Sequence, residues 1–565
     1  MSQPTAPHNQ LSLRPARVQT RDDNPYARKL FLIIDNVPDM QRAISMTLAT
    51  FGANKVEYAN RASDALAKLA RFDFDVVLCD YDLGNDYDGL YLFQEAKERN
   101  LLKPSSVFMI ITAEARVERV ISAAELAPDG YLLKPFTGEK LRQRLDKAMR
   151  KRDAFKTVDQ ALMKEEYLTA IAECDRRIGA RDEFMMDFLK LKGSLALKIG
   201  DHLSGKSVYE QVLAIKALPW AQLGLAKSLT SEKDYPRAKQ LFEEVLDDNP
   251  RVMECYDWLA RIYESQQDPV NAKQVLQQAT QLSSVVVRRQ RKLAEVSMKA
   301  GDFSTAQSAL SRTIDLAKYS TYRSVNDYAA LARAQLAAGE TKAAQQTSDT
   351  LRREFRHDQV ASWVGTVIDS QIATQSGQPH RGRELIDNAI EKYRDLSPML
   401  NETTELEFVR ACYHSGREDV AVSLVQQIVK NNHDDELMLE TIEQVFRDVG
   451  RAEDGKRIIA ENVQSVVDLN NEAVRLAQAG QLDEAVALFN KAVAELPSNM
   501  QIMLNAVNAI LAFVHRKGWH ESHVSLAHDY LEHVRHTDPA NVKFQRLLVA
   551  YRTLIEKHGK TQWML

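Results

Sequence analysis

A chain of 565 residues is longer than one hydrophobic core can organise, the limit being about 250–300 residues, so at least two folding units are expected. Apolar residues make up 44% and charged residues 27%, with a net charge of -4; this is the balance of a soluble globular protein and lacks the strong basic footprint of a nucleic-acid binder. The four cysteines (Cys79, Cys174, Cys255 and Cys412) are too widely spaced for a zinc site or a disulfide framework, and no apolar stretch approaches the ~18 residues of a membrane span, so a reduced, cytoplasmic protein is expected.

Residues 1–27 are polar and proline-bearing and read as a disordered tail. From residue 30 short apolar runs alternate with amphipathic segments. The runs are LFLII (30–34), KVEYA (55–59), DVVLC (75–79), VFMII (107–111) and GYLL (130–133), with helical periodicity in SDALAKLARF (63–72) and DGLYLFQEAKERN (88–100). Strands alternating with helices predict a doubly wound α/β domain with a parallel five-stranded sheet, flavodoxin-like in size, over residues 28–152.

In such a sheet, ligands bind beyond the carboxyl ends of the strands. The first run ends in Asp35-Asn36, the third in Asp80, the fourth in Thr112 and the fifth in Lys134-Pro135. Two carboxylates, a hydroxyl and a lysine are therefore predicted to converge. Asp35 and Asp80 offer hard oxygen ligands suited to Mg2+, which takes few carboxylates. Asp80 follows the central run and is placed to act as a nucleophile on phosphorus, with Lys134 and Thr112 stabilising the equatorial oxygens. A lone Asp or Thr after a strand is more often a helix cap; the four together, in order, outweigh that reading.

The segments IIDNVPDMQR, LCDYDLGNDYDG, MIITAEA and YLLKPF resemble the successive signatures of bacterial two-component response-regulator receiver domains. The resemblance implies that Asp80 is the phosphoacceptor, that Asp35 is the first acid of the metal pair with Asn36 in the place of the second, and that Asp82 offers a backbone carbonyl to Mg2+. It further implies that Thr112 is the switch hydroxyl, Tyr131 the aromatic that turns inward, Lys134 the phosphate-binding lysine, and Pro135 the residue after a cis peptide bond. Asn36 departs from the commoner acid and removes one negative charge from the metal site.

Beyond residue 152 the strand runs vanish. Ala238, Ala272 and Ala306 recur 34 residues apart, as do the pairs Leu225-Ala226, Leu259-Ala260 and Leu293-Ala294; the pattern returns at Ala344 after a four-residue insertion, and most clearly in NNEAVRLAQAGQLDEAVALFNKAVAELPSN (470–499). Small residues at fixed points let paired helices approach, with Gly closing one and Pro the next. The repeat resembles the tetratricopeptide repeat. An all-α solenoid of about ten or eleven hairpins is expected over 153–541, with 542–565 as a capping helix and tail. Three degenerate stretches (360–400, 402–434 and 436–466) leave open a change of superhelical curvature or a break into two subdomains. Tyr256, Tyr263, Arg288, Arg333 and Arg410 are candidates for the groove, with ordinary stacking as the competing reading; His520 and His523 read as incidental surface histidines.

The combination predicts a non-enzymatic response regulator, phosphorylated at Asp80 by a histidine kinase or phosphotransfer protein. It would signal by binding a protein or peptide in the repeat groove or by pairing with another receiver as a homodimer. A constitutive scaffold, favoured by Asn36, and a nucleic-acid-binding output are the other readings; no membrane contact is expected.

Overall fold

The computed structural model describes residues 24–84, 88–99, 101–103, 106–113, 128–284, 286–318 and 322–565. The expected tail lies outside them up to residue 23. The described chain forms two compact units that part after Lys156.

In the first unit, strands β1 (Leu30–Ile34), β2 (Lys55–Ala59), β3 (Val76–Asp80), β4 (Val107–Thr112) and β5 (Gly130–Leu133) form one parallel sheet in the order β2-β1-β3-β4-β5. This is the doubly wound order with its switch point between β1 and β3. The third run begins one residue later than its apolar pattern suggested: Asp75 stays outside the strand and its Oδ2 accepts from the Leu30 amide at 2.8 Å.

Alternation along each strand assigns neighbours to opposite faces. Leu32, Ile34, Val77, Cys79, Phe108 and Ile110 pack beneath helices α2 (Ala62–Leu69) and α3 (Gly89–Glu98). Phe31, Ile33, Val76, Leu78, Met109, Ile111 and Leu132 pack on the other face, under α1 (Pro38–Ala49) and against Leu141, Leu145 and Ala148 of the helix Gly138–Met163. Both faces are covered over the inner strands, so β1, β3 and β4 are apolar almost throughout, as parallel sheets require, while β2 at the edge is largely exposed.

The expected tail boundary at residue 27 is corrected by this second face. Tyr26 is fully buried in it, its ring against Phe31 and Phe51, and its hydroxyl donates to Asp146 of the last helix. Asn24 also donates to the Phe51 carbonyl at 2.8 Å. An aromatic side chain with a hydrogen-bond partner is worth burying even when the residues around it are polar.

The second unit is all helical, from the end of Gly138–Met163 through Val542–Lys557. Counting the 27-residue helix Ala452–Gln478 in both the hairpins it serves, eleven helical hairpins precede Val542–Lys557 among the described residues. Each turn between paired helices needs a left-handed residue. Gly301 and Gly480 supply it at φ 72° and 83°, whereas Lys233 and Gln267 occupy the same place at 63° and 57° at a cost glycine avoids. Asp201, Asp268 and Asp302 then cap the following helices by accepting from the third backbone amide.

The degenerate stretches do not interrupt the core singly. One hydrophobic cluster runs from Tyr328 to Ile459 and a second from Val466 to Ile555, and the helix Ala452–Gln478 carries residues of both. Asn499, fully buried, pins the joint: its Nδ2 donates to the Lys430 carbonyl at 2.8 Å while its Oδ1 caps the helix Met500–Lys517 at Ile502.

Close helix approach at the small positions is clearest around Tyr209, only 2% exposed. A Cβ on Gly224 would lie 2.2 Å from its ring, and one on Gly193 2.7 Å away. Gly224→Ala is therefore expected to overpack this interface by about 1–3 kcal/mol, read as a lower urea midpoint for helical unfolding, and an unchanged midpoint would show that the helices part freely there.

Candidate functional site

The site is built at the carboxyl ends of β1, β3, β4 and β5. Asp35 closes β1 and is buried. Its Oδ1 accepts from the Val37 amide at 2.8 Å, which fixes the carboxylate and leaves Oδ2 for the site. Gln41 lies beneath it, its Nε2 donating to the carbonyls of Asp35 at 2.7 Å and Ala59 at 3.0 Å and so tying the loop after β1 to the end of β2.

Asp80 ends β3 with its side chain 14% exposed. The chain just beyond is held by the Tyr81 amide, which donates to the Ile111 carbonyl at 2.8 Å. Behind it, Gly89 begins α3 so near that a Cβ would stand 2.5 Å from the Asp80 carbonyl oxygen. Only glycine allows that approach.

Lys134 follows β5, its backbone amide donating to the Thr112 carbonyl at 2.7 Å, and the Lys134–Pro135 peptide is cis. Its Nζ donates to Asp80 Oδ2 at 2.9 Å and to Asp35 Oδ2 at 3.0 Å, so one ammonium is shared by both carboxylates. Burial lifts the Asp80 carboxyl above its usual range; the Lys134 hydrogen bond pulls it back, and the Asp35 charge adds to the lift. For Lys134, burial works against the charged form, but its bonds to Asp80 and Asp35 prevail and hold it more firmly protonated.

The sequence-predicted residues divide into those in direct contact and those at the rim. Lys134 touches both Asp35 and Asp80, and Thr112 is buried at the adjoining strand end. Asn36 and Asp82 are exposed at the rim. Asp82 Oδ1 accepts from the Gly84 amide at 3.0 Å, so its side chain shapes its own loop, and Gly84 in turn stands against the Asn36 amide. Tyr131 is half-buried on β5 beneath the Arg144 guanidinium, 5.5 Å from the ring centre. Gln41 and Gly89 carry no chemistry of their own, and the strand-end pattern does not reveal them. A Gln on the inward face of α1 and the glycine that ends the DYDG segment are the only sequence signals.

Among the described residues no three or more His, Cys, Asp or Glu side chains cluster as a metal site. Two converging carboxylates with an amide and backbone carbonyls nearby are nevertheless the sparse, hard-oxygen set that suits Mg2+. Of the expected groove residues, Tyr256 and Arg410 are buried, Arg333 pairs with Glu407 at 3.3 Å, and Tyr263 lies under Lys239, so packing claims them; Arg288 alone is exposed. His520 and His523 stack on each other with ring centres 4.1 Å apart.

Comparison with known proteins matches these features. The family described as response regulator receiver domain matches residues 31–146, and the tetratricopeptide repeat matches 223–284. Chemotaxis protein CheY-3 of Vibrio cholerae serotype O1 is 36% identical over 116 residues, which are 20% of this chain and 88% of that protein. Chemotaxis protein CheY of Pseudomonas aeruginosa is 31% identical over 116 residues, 20% of this chain and 92% of that protein. Among solved structures, the C-terminal part of a TPR repeat-containing protein from Cytophaga hutchinsonii aligns at 14% identity and a TM-score of 0.36, covering 44% of this chain and 98% of that one. No helix among the described residues is long and apolar enough to cross a membrane. The chain belongs to the response-regulator receiver family, with its receiver domain joined to an array of tetratricopeptide repeats.

Proposed function

We propose that this protein is a phosphorylation-controlled response regulator whose output is protein binding. The observation that carries the reading is the Lys134 ammonium shared between Asp80 and Asp35 at 2.9 and 3.0 Å. An Asp80 oxygen attacks phosphorus on a histidine kinase or phosphotransfer protein; the new O–P bond forms as the P–N bond to the donor imidazole breaks, and the electron pair leaves with that imidazole. Lys134 follows the transferred charge, the Thr112 hydroxyl donates to a phosphoryl oxygen, and Tyr131 moves toward the space Thr112 vacates. Asp35, Asp80, the Asn36 amide oxygen and the Asp82 backbone carbonyl would hold Mg2+, which when bound neutralises charge on the phosphoryl group. The receiver is a phosphoacceptor that can also remove its own phosphoryl group, and the protein works in the cytoplasm.

The repeat array is read as the surface that takes a protein or peptide partner. Its charged helix positions favour this over a nucleic-acid partner. Lys227 bonds Glu254, Arg289 grips Asp257 with two bonds of 2.8 Å, and Arg291 holds Asp327, so these cations are already paired across successive repeats and not offered to phosphates. One observation favours a constitutive scaffold instead: the rim position next to Asp35 is the uncharged Asn36.

The full chain, immobilised with and without prior phosphorylation, tests the output. A partner whose retention changes on phosphorylation, and does not change for Asp80→Ala, is the expected result. Identical retained proteins under all conditions would leave the scaffold reading.

A further inference from the structure

The two ends of the repeat array meet. The turn Lys164–Glu166, between the helices Gly138–Met163 and Tyr167–Gly179, lies against the helices Glu521–Thr537 and Val542–Lys557, more than 350 residues on in sequence. Gln545 is the centre of the contact and is 1% exposed. Its Nε2 donates to the Glu165 carbonyl at 2.6 Å and to the Pro539 carbonyl at 2.7 Å, while its Oε1 accepts from the Leu168 amide at 3.5 Å. Arg535 donates to the Lys164 carbonyl at 3.1 Å and stands 3.7 Å from the Glu165 carboxylate. Arg552 pairs with Glu166 at 2.7 Å and also donates to the Leu565 carbonyl at 2.8 Å.

The chemistry of this junction differs from that of the neighbouring hairpins. Hairpins further along share hydrophobic clusters, and among the described residues every member of the cluster at this end lies between Val466 and Leu565. The contacts that join the two ends are directional and polar. The partly exposed Arg535 and Arg552 pairs are individually weak, and a junction held by them together with Gln545 opens more readily than a packed core. Glu165 takes a left-handed conformation, φ 57°, which turns the Lys164 and Glu165 carbonyls out of helical pairing toward these donors.

We propose that Gln545, Arg535 and Arg552 form a polar latch on the Lys164–Glu166 turn that holds the repeat array closed end to end, and that its release is how the array opens. Lys164 directly follows the helix within which the two units part, so the latch stands where the chain enters the repeats. The inference goes beyond the proposed phosphorylation and does not depend on it.

Spin labels report the closure directly. Lys164→Cys and His536→Cys place labels on exposed positions whose side chains make none of the latch contacts, and the four native cysteines are buried and take no label. In the full labelled chain, pulsed dipolar spectroscopy is expected to give one short, narrow distance. Arg552→Glu sets a carboxylate against Glu166 and is expected to shift the distribution to longer, broader distances, and the exchange Glu166→Arg with Arg552→Glu to restore the short one. A long or broad distance in the labelled parent, or no change with Arg552→Glu, would overturn the latch. If Arg552→Glu alone loses its helical circular dichroism, the exchanged pair decides: recovery of the short distance supports the proposal and its absence refutes it.

Discussion

Incubated with Mg2+ and acetyl phosphate, the wild-type chain is expected to gain one phosphoryl group, on Asp80, and Asp80→Ala to gain none. The expectation rests on the placement of one carboxylate at the centre of the strand ends, within hydrogen-bond reach of Lys134. Lys134→Met should retain the nucleophile but lose the cation that meets the transferring charge. A preorganised donor of this kind is worth about 100-fold in rate, so residual phosphorylation should be slow rather than absent. Asn36→Asp distinguishes two ways the wild type could fail. Restoring a carboxylate beside Asp35 should strengthen Mg2+ binding and speed phosphorylation. Should the wild type stay unmodified while Asn36→Asp is phosphorylated, the missing charge is the cause and the natural protein is a scaffold. If neither is modified, phosphorylation at Asp80 is wrong altogether. Intact-mass measurement and peptide mapping read each outcome.

The receiver fold was legible because its inner strands are buried on both faces. Four of the five apolar runs start at the residue where the strand starts; the third is offset by one, and Asp75 just ahead of β3 holds Leu30 through both its side chain and its backbone amide. The convergence of Asp35, Asp80, Thr112 and Lys134 followed from topology, since strand ends of a doubly wound sheet share one edge. Gln41 and Gly89 were not legible. Their work is against backbone atoms of other elements, which leaves no periodicity and no motif of its own. In the repeats, the 34-residue period revealed the hairpins, because packing of small residues must recur in every copy. The latch escaped notice for the opposite reason. Gln545 and Arg552 meet partners nearly 400 residues away, and a polar contact made once has no repeat to betray it.

Tyr26→Ala is expected to destabilise the receiver by about 3–5 kcal/mol, the range for removing a buried aromatic side chain. Against a domain stability of about 5–15 kcal/mol, that is a large share. Tyr26 stands in a segment whose composition reads as a tail, but its ring completes the face formed by Phe31, Leu48 and Phe51. Its hydroxyl bonds Asp146, and the two contacts bridge α1 and the last helix of the sheet layer. Burial, followed by the Asp146 bond, raises the phenol far above its ordinary pKa, so the hydroxyl remains a donor across the working pH range. Tyr26→Phe separates the contributions: it preserves the packing and loses the bond to Asp146, so its cost should be nearer 1 kcal/mol. Hydrogen exchange of the full chain is the appropriate measurement, because it resolves the sheet from the repeats. Faster exchange across β1, β3 and β4 in Tyr26→Ala, with the repeat helices unaltered, is the expected pattern. Wild-type protection in those strands would mean that the segment before β1 is an appendage after all. A chain begun at residue 28 should behave as Tyr26→Ala does, because it too lacks the buried ring.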